Sequence, residues 1–257
     1  MASDLKETTK LSDLEVARNV FKDEAAGLMK FADVLDESFV KALDIMASAT
    51  GRVIISGMGK SGHIANKIAA TLASTGTPAQ YVNAGEASHG DLGMITKQDV
   101  LLALSNSGET PELSDMVAHT KINGILLISI TGRAGSSLDK AGDVSLVLPN
   151  VKEACPLNLA PTTSTTVMLA IGDALAVALL ERQGFLPENF NALHPGGQLG
   201  RRFVKVSDVM HRGDAVPLAD AATPMPDTLL IMTQKSFGCV GITDDNGDLA
   251  GIITDGD

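Results

Sequence analysis

A glycine-rich stretch at residues 55–62, ISGMGKSG, has a spacing that could bind a phosphate group. It contains the G-x-G-x-x-G spacing of a dinucleotide-binding turn and the G-K-S that ends a nucleotide triphosphate loop. The triphosphate loop is excluded, because the glycine required five residues before Gly59 is replaced by Ile54. Dinucleotide binding is disfavoured, because the next predicted strand ends in Asn83 and not in the acid that binds ribose hydroxyls. A strand–turn–helix site for a sugar phosphate remains.

Lys60 lies in the middle of this stretch and predicts that the ligand is an anion. The stretch leads into a predicted helix, and a lysine at the positive start of a helix is unfavourable unless an anion compensates it. Backbone N–H groups at the same place also favour an anion. The alternative is a tight turn whose glycines serve close packing only, and that alternative leaves the lysine unexplained.

A second polar loop, SNSGET at residues 105–110, offers hydrogen-bond donors for a phosphate without using arginine. It lies between a predicted buried strand and a predicted helix start at Pro111, a favoured first-turn residue. Gly108 permits close approach, and the donors around it are Ser105, Asn106, Ser107 and Thr110. Helix capping by Ser107 or Thr110 is the alternative, but it explains one of these residues and not four.

Two carboxylates and one histidine are candidates for acid–base chemistry. Glu153 lies in NVKEACPLN, a segment that prolines keep irregular, and its apolar neighbours predict a raised pKa that suits a general base near neutral pH. Glu112 is expected in the first turn of a helix, where an acid ordinarily compensates the helix dipole. His194 lies in the irregular stretch NALHPGGQLGRR. The alternative for each is an ordinary structural or solvated role.

The elements that must position these groups form the pattern of an α/β fold. Helical spacing starts at Ser12 and recurs over about 36–48. Apolar runs then alternate with helical segments and predict five buried strands, at 52–56, 78–82, 99–105, 125–131 and 143–149. A long apolar helix follows over 162–184. Such alternation predicts a doubly wound, five-stranded parallel sheet with ligands at the carboxyl ends of its strands.

The composition changes after about residue 200. A helix flanked by short strands is expected there, and GCVGITDDNGDLAGIIT predicts a hairpin with Asn246-Gly247 at its turn. We therefore expect an N-terminal helical segment at 1–50, the main domain at 51–200 and a second unit at 205–257. The second unit looks incomplete because it stops abruptly.

Charge and composition argue against several classes of protein. The 257-residue chain has a net charge of −11 and 3% aromatic residues, which is unlike a nucleic-acid-binding protein. Cys155 and Cys239 indicate no disulfide framework, and the His and Cys spacing indicates no metal site. The N-terminus lacks the apolar core of a signal peptide, and no stretch is expected to cross a membrane. We expect a cytoplasmic protein without a cofactor.

Several stretches resemble the arabinose 5-phosphate isomerases, a family with a sugar isomerase (SIS) domain followed by a pair of CBS modules. The resemblance runs from about residue 12 to the last residue and is carried by ISGMGKSGHIANKIAATLASTGT, EASHGDLGM, NSGETPEL, EACPLNLAPTTST, NALHPGGQLGRR and GCVGITDDNGDLAGIITDGD. It implies that the catalytic residues are Lys60, Glu112, Glu153 and His194. It also implies substrate contacts for Gly59, Ser61, Gly76, Thr77, His89, Ser105, Asn106, Ser107 and Thr110.

The activity that the resemblance implies is the interconversion of D-ribulose 5-phosphate and D-arabinose 5-phosphate through an enediol, which supplies Kdo for lipopolysaccharide or capsule. Glu153 would shuttle the proton, and His194 would aid ring opening or proton transfer to oxygen. Lys60 would stabilise the enediolate, with Glu112 orienting it or sharing acid–base work. The resemblance further implies a homotetramer in which His194 reaches a neighbouring subunit's site. The alternative is a non-catalytic sugar-phosphate sensor, but such sensors commonly carry a basic recognition helix that residues 1–50 lack.

Two features concern ligands other than the sugar. Where relatives carry a histidine associated with inhibitory zinc, this chain has Asn83, a poor zinc ligand, so we expect no strong zinc inhibition. In CBS modules a Thr-x-x-Asp pattern contacts a nucleotide ribose, and Thr254 and Asp257 match it. The effector there would be a nucleotide or sugar nucleotide, but packing between subunits is the favoured role, because a nucleotide site normally needs a pair of modules.

Overall fold

The computed structural model describes residues 11–186, 189–190, 193–194 and 205–257. The chain divides into two compact units, residues 1–200 and 201–257, and each is described by itself. The first unit begins with α1 (Asp13–Asp33) and α2 (Glu37–Ser48). Ser12 caps α1 as the sequence predicts, through reciprocal hydrogen bonds with Glu15.

A five-stranded parallel sheet forms the centre of the first unit. Its strands are β1 (Val53–Gly57), β2 (Ala79–Tyr81), β3 (Val100–Ser105), β4 (Leu127–Thr131) and β5 (Val144–Val147). They lie in the order β2-β1-β3-β4-β5, and every pair is parallel. The structure confirms the doubly wound sheet. Four strands lie within the ranges predicted from their apolar runs, and β1 extends past its range to Gly57.

Helices cover both faces of this sheet. They are α3 (Gly59–Ser74), α4 (Ala84–Ala87), α5 (Ser114–Asn123), α6 (Ser137–Ala141) and α7 (Thr163–Arg182), with short 3₁₀ turns at Asp91–Met94 and Pro111–Leu113. On one face α2, α3 and α7 enclose a core that includes Ile55 and Leu102, whereas α4, α5 and α6 pack with Ile54 and Leu101 on the other. Neighbouring residues of one strand thus serve different cores, because side chains alternate across a sheet.

Helix α7 corrects one expectation from the sequence. By length and composition it is apolar enough to cross a membrane, although the sequence predicts no such segment. Half of its most apolar window is buried inside the first unit, and Met168, Ile171 and Leu175 belong to the core that α3 also lines. The apolar character of α7 is therefore accounted for by its place beside the sheet.

The second unit has the predicted hairpin and helix. Its described elements are α8 (Val206–Val209), β6 (Leu218–Asp220), α9 (Met225–Lys235), β7 (Cys239–Thr243) and β8 (Leu249–Thr254). β7 and β8 are antiparallel, and Gly247 in the turn between them has φ +84°. Thr254 donates its backbone N–H (2.9 Å) and its hydroxyl (3.0 Å) to the Asp257 carboxylate, so the two residues of the Thr-x-x-Asp pattern are already in contact.

Candidate active site

The carboxyl ends of four strands lie side by side along one edge of the sheet. Gly57 of β1 is paired with Leu104 of β3, Ser105 of β3 with Thr131 of β4, and Thr131 with Val147 of β5. The chain leaves β1 towards one side of the sheet and β3 towards the other, so the strand order reverses between these two strands. A ligand crevice is expected at such a reversal. The two polar loops predicted to bind phosphate follow these same strands.

The glycines of the first loop serve two different purposes. A Cβ on Gly62 would lie 2.7 Å from the carbonyl oxygen of Gly57, and a Cβ on Gly57 would lie 3.0 Å from the backbone of Ser61, so these glycines allow close packing. Gly59 has φ +57° and open space where its Cβ would be. Helix α3 begins at Gly59, so its first N–H groups are in a position to bind an anion. The close-packing alternative therefore holds for Gly57 and Gly62 and does not account for Gly59.

Lys60 is an exposed cation in the first turn of α3, and Ser61 follows it. Within the described residues, the Lys60 ammonium has no ion-pair partner, and the first turn of α3 contains no acid. A cation at the positive end of a helix raises the energy of the unliganded protein. The position is favourable only when an anion binds beside it.

The second loop is organised around the buried hydroxyl of Ser105 at the end of β3. Its Oγ lies 2.7 Å from Thr110 Oγ1 and 3.4 Å from Ser107 Oγ, and it accepts the backbone N–H of Gly108 at 3.0 Å. Three hydroxyls therefore meet at one place. The capping alternative is wrong for Thr110, whose side chain makes no capping hydrogen bond to the turn at Pro111–Leu113.

Gly108→Ala is expected to disrupt this loop. Gly108 has φ +66°, and its Cβ would lie 2.0 Å from Oγ of the buried Ser136, so the variant combines backbone strain with a clash. Left-handed strain costs about 1–2 kcal/mol and overpacking about 1–3 kcal/mol. We expect the free energy of unfolding, measured in urea, to fall by at least about 2 kcal/mol, with weaker binding of sugar phosphate.

Gly124→Ala is the matched control for that variant. Gly124 also has φ +66°, but nothing lies within 4 Å of its Cβ position. It should therefore suffer the backbone strain alone and keep sugar-phosphate binding. Equal losses of stability in the two variants would contradict the packing of Gly108 against Ser136.

Glu112 and His89 lie near this loop. Glu112 is half-buried in the turn Pro111–Leu113, and α4, which leads into the exposed His89, packs against that turn. Asn83 caps α4, since its Oδ1 accepts the N–H of Gly85 at 2.9 Å. Asn83 is thus used locally, as an N-cap.

Glu153 is 8% exposed, and four hydrogen bonds hold its carboxylate at the start of α7. Oε2 accepts the backbone N–H of Thr162 (2.7 Å), its hydroxyl (3.1 Å) and the backbone N–H of Ser164 (3.2 Å). Oε1 accepts the Ser164 hydroxyl. The backbone N–H of Glu153 is itself fixed by Asn158 Oδ1 at 2.8 Å. Helix α7 has no acid in its own first turn. Glu153, from the loop that precedes the helix, supplies the negative charge there instead.

The pKa predicted for Glu153 is wrong in direction. Burial does raise the pKa of this carboxyl, but the hydrogen bonds from Ser164 and Thr162 together outweigh it and bring the pKa below its ordinary value of 4.5. The apolar neighbours in the sequence indicate the burial alone. Glu153 is therefore ionised throughout the neutral range, as a proton acceptor must be.

This pKa predicts how the stability of the protein depends on pH. A carboxyl with a lowered folded-state pKa adds stability that is complete above its unfolded value and is lost as the pH falls through the folded value. Urea unfolding of the wild type and of Glu153→Gln should therefore differ by a constant free energy near neutral pH. The difference should shrink below about pH 4.5. A difference that widens on acidification would contradict the four-bond arrangement.

A cavity of about 140 Å³ joins Glu153 to the second loop. Its lining includes Asn106 of that loop, Gly132 after β4, Asn150 after β5, and Glu153 with Ser164. A Cβ on Gly132 would lie 2.3 Å from Oδ1 of Asn106, so the glycine leaves room for that amide. The structure therefore places a candidate proton acceptor and a candidate phosphate-loop residue on one cavity.

Gly76 and Thr77 lie at the end of the sheet opposite to Glu153, where the strands begin, beside the amino end of β2. Helix α7 begins near Glu153, and its 20 residues extend about 30 Å. Beyond its end, Gln183 Nε2 is 3.4 Å from Thr77 Oγ1, and the Phe185 ring occupies the space where a Gly76 side chain would be. Within one chain, these two predicted substrate contacts lie away from the other candidate site residues, which are at the carboxyl ends of the strands. Their role stays a prediction.

His194 follows α7 at this same end of the sheet. Its Nδ1 is 2.9 Å from the carbonyl oxygen of Phe190, and the two rings stack at 4.0 Å. The N–H of Phe190 is in turn bonded to Leu186, close to the end of α7. His194 therefore lies far from Glu153 of its own chain. Residues 195–202 of its motif are outside the described residues.

The patterns in the sequence did not single out the residues that hold Glu153, namely Asn158, Thr162 and Ser164. One signal could have indicated them. The polar run at residues 162–166 opens a strongly apolar helix that has no acid in its first turn, so an acid from elsewhere is favourable there. Within the described residues, no group of three or more His, Cys, Asp or Glu side chains is arranged to hold a metal ion.

The chain is similar to two known domain families and to several known proteins. Residues 45–178 match the SIS domain and residues 206–257 match the CBS domain. Arabinose 5-phosphate isomerase KdsD of Pseudomonas aeruginosa is 55% identical over 224 residues, which cover 87% of this chain and 69% of that protein. The Yersinia pestis protein of the same name is 48% identical over 244 residues, covering 95% of this chain and 74% of its own.

A solved structure shares the fold of the first unit. It is an Escherichia coli CFT073 protein in complex with arabinose 5-phosphate. Its TM-score is 0.69 and its identity 40%, and the match covers 72% of this chain and 100% of that one.

Proposed function

The chain belongs to the SIS-domain family of arabinose 5-phosphate isomerases, and we propose that it interconverts D-ribulose 5-phosphate and D-arabinose 5-phosphate at the carboxyl edge of its sheet. The reaction moves a proton between C1 and C2 of the sugar through an enediol. It needs a proton acceptor, a positive group beside the developing oxyanion, and a site for the phosphate. Glu153, Lys60 and the loops after β1 and β3 supply a candidate for each of the three.

Glu153 is the group that we assign to the proton transfer. It takes a proton from C1 of ribulose 5-phosphate, and the electron pair of that C–H bond forms the C1–C2 double bond of the enediolate. The proton on O1 then passes to O2, and returning the first proton to C2 as the C1=O double bond forms gives the aldose. The lowered pKa of Glu153 keeps its carboxylate ionised and ready to accept a proton at neutral pH.

Lys60 stabilises the enediolate oxygen, and Glu112 orients Lys60 or shares acid–base work. The sugar phosphate is bound by the hydroxyl cluster of Ser105, Ser107 and Thr110, by Asn106, and by the N–H groups at Gly59 and Ser61. His89, on the exposed segment after α4, contacts the sugar. The observation that carries this proposal is the cavity that Glu153 and Asn106 share.

The deciding experiment is incubation of the purified protein with ribulose 5-phosphate, followed by chromatographic detection of arabinose 5-phosphate. We expect approach to the same equilibrium mixture from either sugar. Binding of the pentose phosphate without turnover would overturn the isomerase and favour the non-catalytic sensor.

We further propose that His194 completes the site of a neighbouring subunit in a homotetramer. Helix α7, about 30 Å long, supports this, because within one chain Glu153 lies at its start and His194 lies beyond its end. Gly76 and Thr77 lie at the same end of the sheet as His194 and would reach the sugar in the same way.

Mixing two inactive variants tests this proposal. Glu153→Gln and His194→Ala subunits, dissociated and reassembled together, should regain activity at sites that combine an intact Glu153 with an intact partner histidine. No recovery in verified mixed oligomers would place His194 outside the neighbour's site.

Three further properties are proposed from family membership. The product would supply the synthesis of Kdo, the chain would work in the cytoplasm, and a nucleotide or sugar nucleotide would act at Thr254 and Asp257 of the CBS unit. The contact between those two residues supports the last proposal. Reaction without a metal or other cofactor and the domain limits 1–50, 51–200 and 205–257 stay predictions.

A further inference from the structure

The two oxygens of the Glu153 carboxylate are not equivalent. A carboxylate oxygen has two lone pairs, and Oε2 already faces three donors, from the backbone and hydroxyl of Thr162 and the backbone of Ser164. Within the described residues, Oε1 accepts from the Ser164 hydroxyl alone. The lone pair left free for a substrate proton is therefore on Oε1.

Ser164 is placed to control this oxygen. It is 2% exposed in the first turn of α7, and it contacts both ends of the carboxylate, Oε2 through its N–H and Oε1 through its hydroxyl. It also lines the cavity that Glu153 shares with Asn106. No other described side chain forms a hydrogen bond with Oε1.

We propose that Oε1 of Glu153 is the oxygen that exchanges the substrate proton, and that Ser164 is the positioning residue that aims it. This inference rests on the proposed isomerase function. When Glu153 is ionised, the Ser164 hydroxyl donates to Oε1. When Oε1 carries the substrate proton, the hydroxyl hydrogen rotates away and the serine oxygen remains beside Oε1 as an acceptor. One side chain thus holds the carboxyl in place in both protonation states.

Ser164→Ala tests the role, with isomerase kinetics measured against pH. A hydrogen bond to a charged group is strong enough that its loss should lower kcat by about 10–100-fold, with KM little changed. The acid limb of the kcat/KM profile should move to higher pH, because the hydroxyl favours the ionised carboxyl. Ser164→Cys keeps a weak donor and should give intermediate values for both.

Thr165→Ala is the matched control. It removes a hydroxyl from the same turn of α7, one that bonds to the Thr162 carbonyl (2.8 Å) and not to the carboxylate, so both kinetic parameters should stay as in the wild type. Circular dichroism checks that each variant folds. If Ser164→Ala does not fold, the kinetics of Ser164→Cys decide whether Ser164 has this role.

The outcomes separate this inference from the function on which it rests. If Ser164→Ala matches Thr165→Ala in kcat and in pH profile while Glu153→Gln is inactive, Ser164 is only structural and the inference is overturned. Full activity in Glu153→Gln removes Glu153 as the base, and with it both the proposed proton transfer and this role of Ser164.

Discussion

Glu153→Gln is expected to lower the turnover of ribulose 5-phosphate by about 10²–10⁴-fold, because a positioned proton-transfer group contributes about that much. Binding of the sugar phosphate should change little, since the contacts proposed for its phosphate are in the loop at residues 105–110 and at the start of α3. The measurement is kcat in both directions together with calorimetric titration of arabinose 5-phosphate.

The geometry indicates that this variant will fold. A glutamine oxygen at the Oε2 position keeps the three donors from Thr162 and Ser164. The amide nitrogen then faces the Ser164 hydroxyl, which can accept a hydrogen bond as well as donate one. The charge is lost, but each polar group keeps a partner.

Glu15→Gln is the matched control for the loss of a capping carboxylate. Glu15 caps α1 through Ser12, is fully exposed and has a lowered pKa from the Ser12 hydrogen bonds. We expect Glu15→Gln to have the same turnover as the wild type. Wild-type turnover from Glu153→Gln would instead refute the assignment of the base.

Lys60→Met is expected to lower kcat by about 10²–10³-fold, the usual cost of removing one group that stabilises an oxyanion. Stability should stay the same or rise by about 0.3–1 kcal/mol, because the variant removes a cation from the positive end of α3. Isomerase kinetics and urea unfolding of the same preparation measure the two effects. Opposite signs for activity and stability are the signature of a lysine kept for its ligand.

Lys67→Met supplies the control on the same helix. Lys67 forms a half-exposed ion pair with Asp173 of α7, so its removal should leave kcat unchanged and cost at most about 1 kcal/mol. If Lys60→Met behaves like Lys67→Met in both measurements, Lys60 is an ordinary surface cation.

The sheet could be predicted because its signals are local. Apolar runs fully buried on both sides mark β1, β3 and β4, and the loops after β1 and β3 follow directly from them. The prediction made for Lys60 likewise rests on one local conflict, a lysine at a helix start. Family resemblance then supplied the reaction, which these patterns alone do not specify.

The properties of Glu153 could not be predicted in the same way. Its neighbours along the chain are apolar, but its pKa depends on Thr162 and Ser164, 9 and 11 residues away, which the fold brings to it. Likewise the separation of His194 from Glu153 depends on the direction in which α7 runs. Both are consequences of tertiary structure, which composition and residue spacing do not reveal.

The cap that Glu153 provides has a consequence for how the protein can evolve. One carboxylate anchors a 20-residue helix of the buried core and, in the mechanism proposed, receives the substrate proton. Each turnover must briefly weaken that anchor. Selection on catalytic rate therefore acts on the folding of α7 as well. In a lineage that has lost the reaction, selection for stability would still retain Glu153.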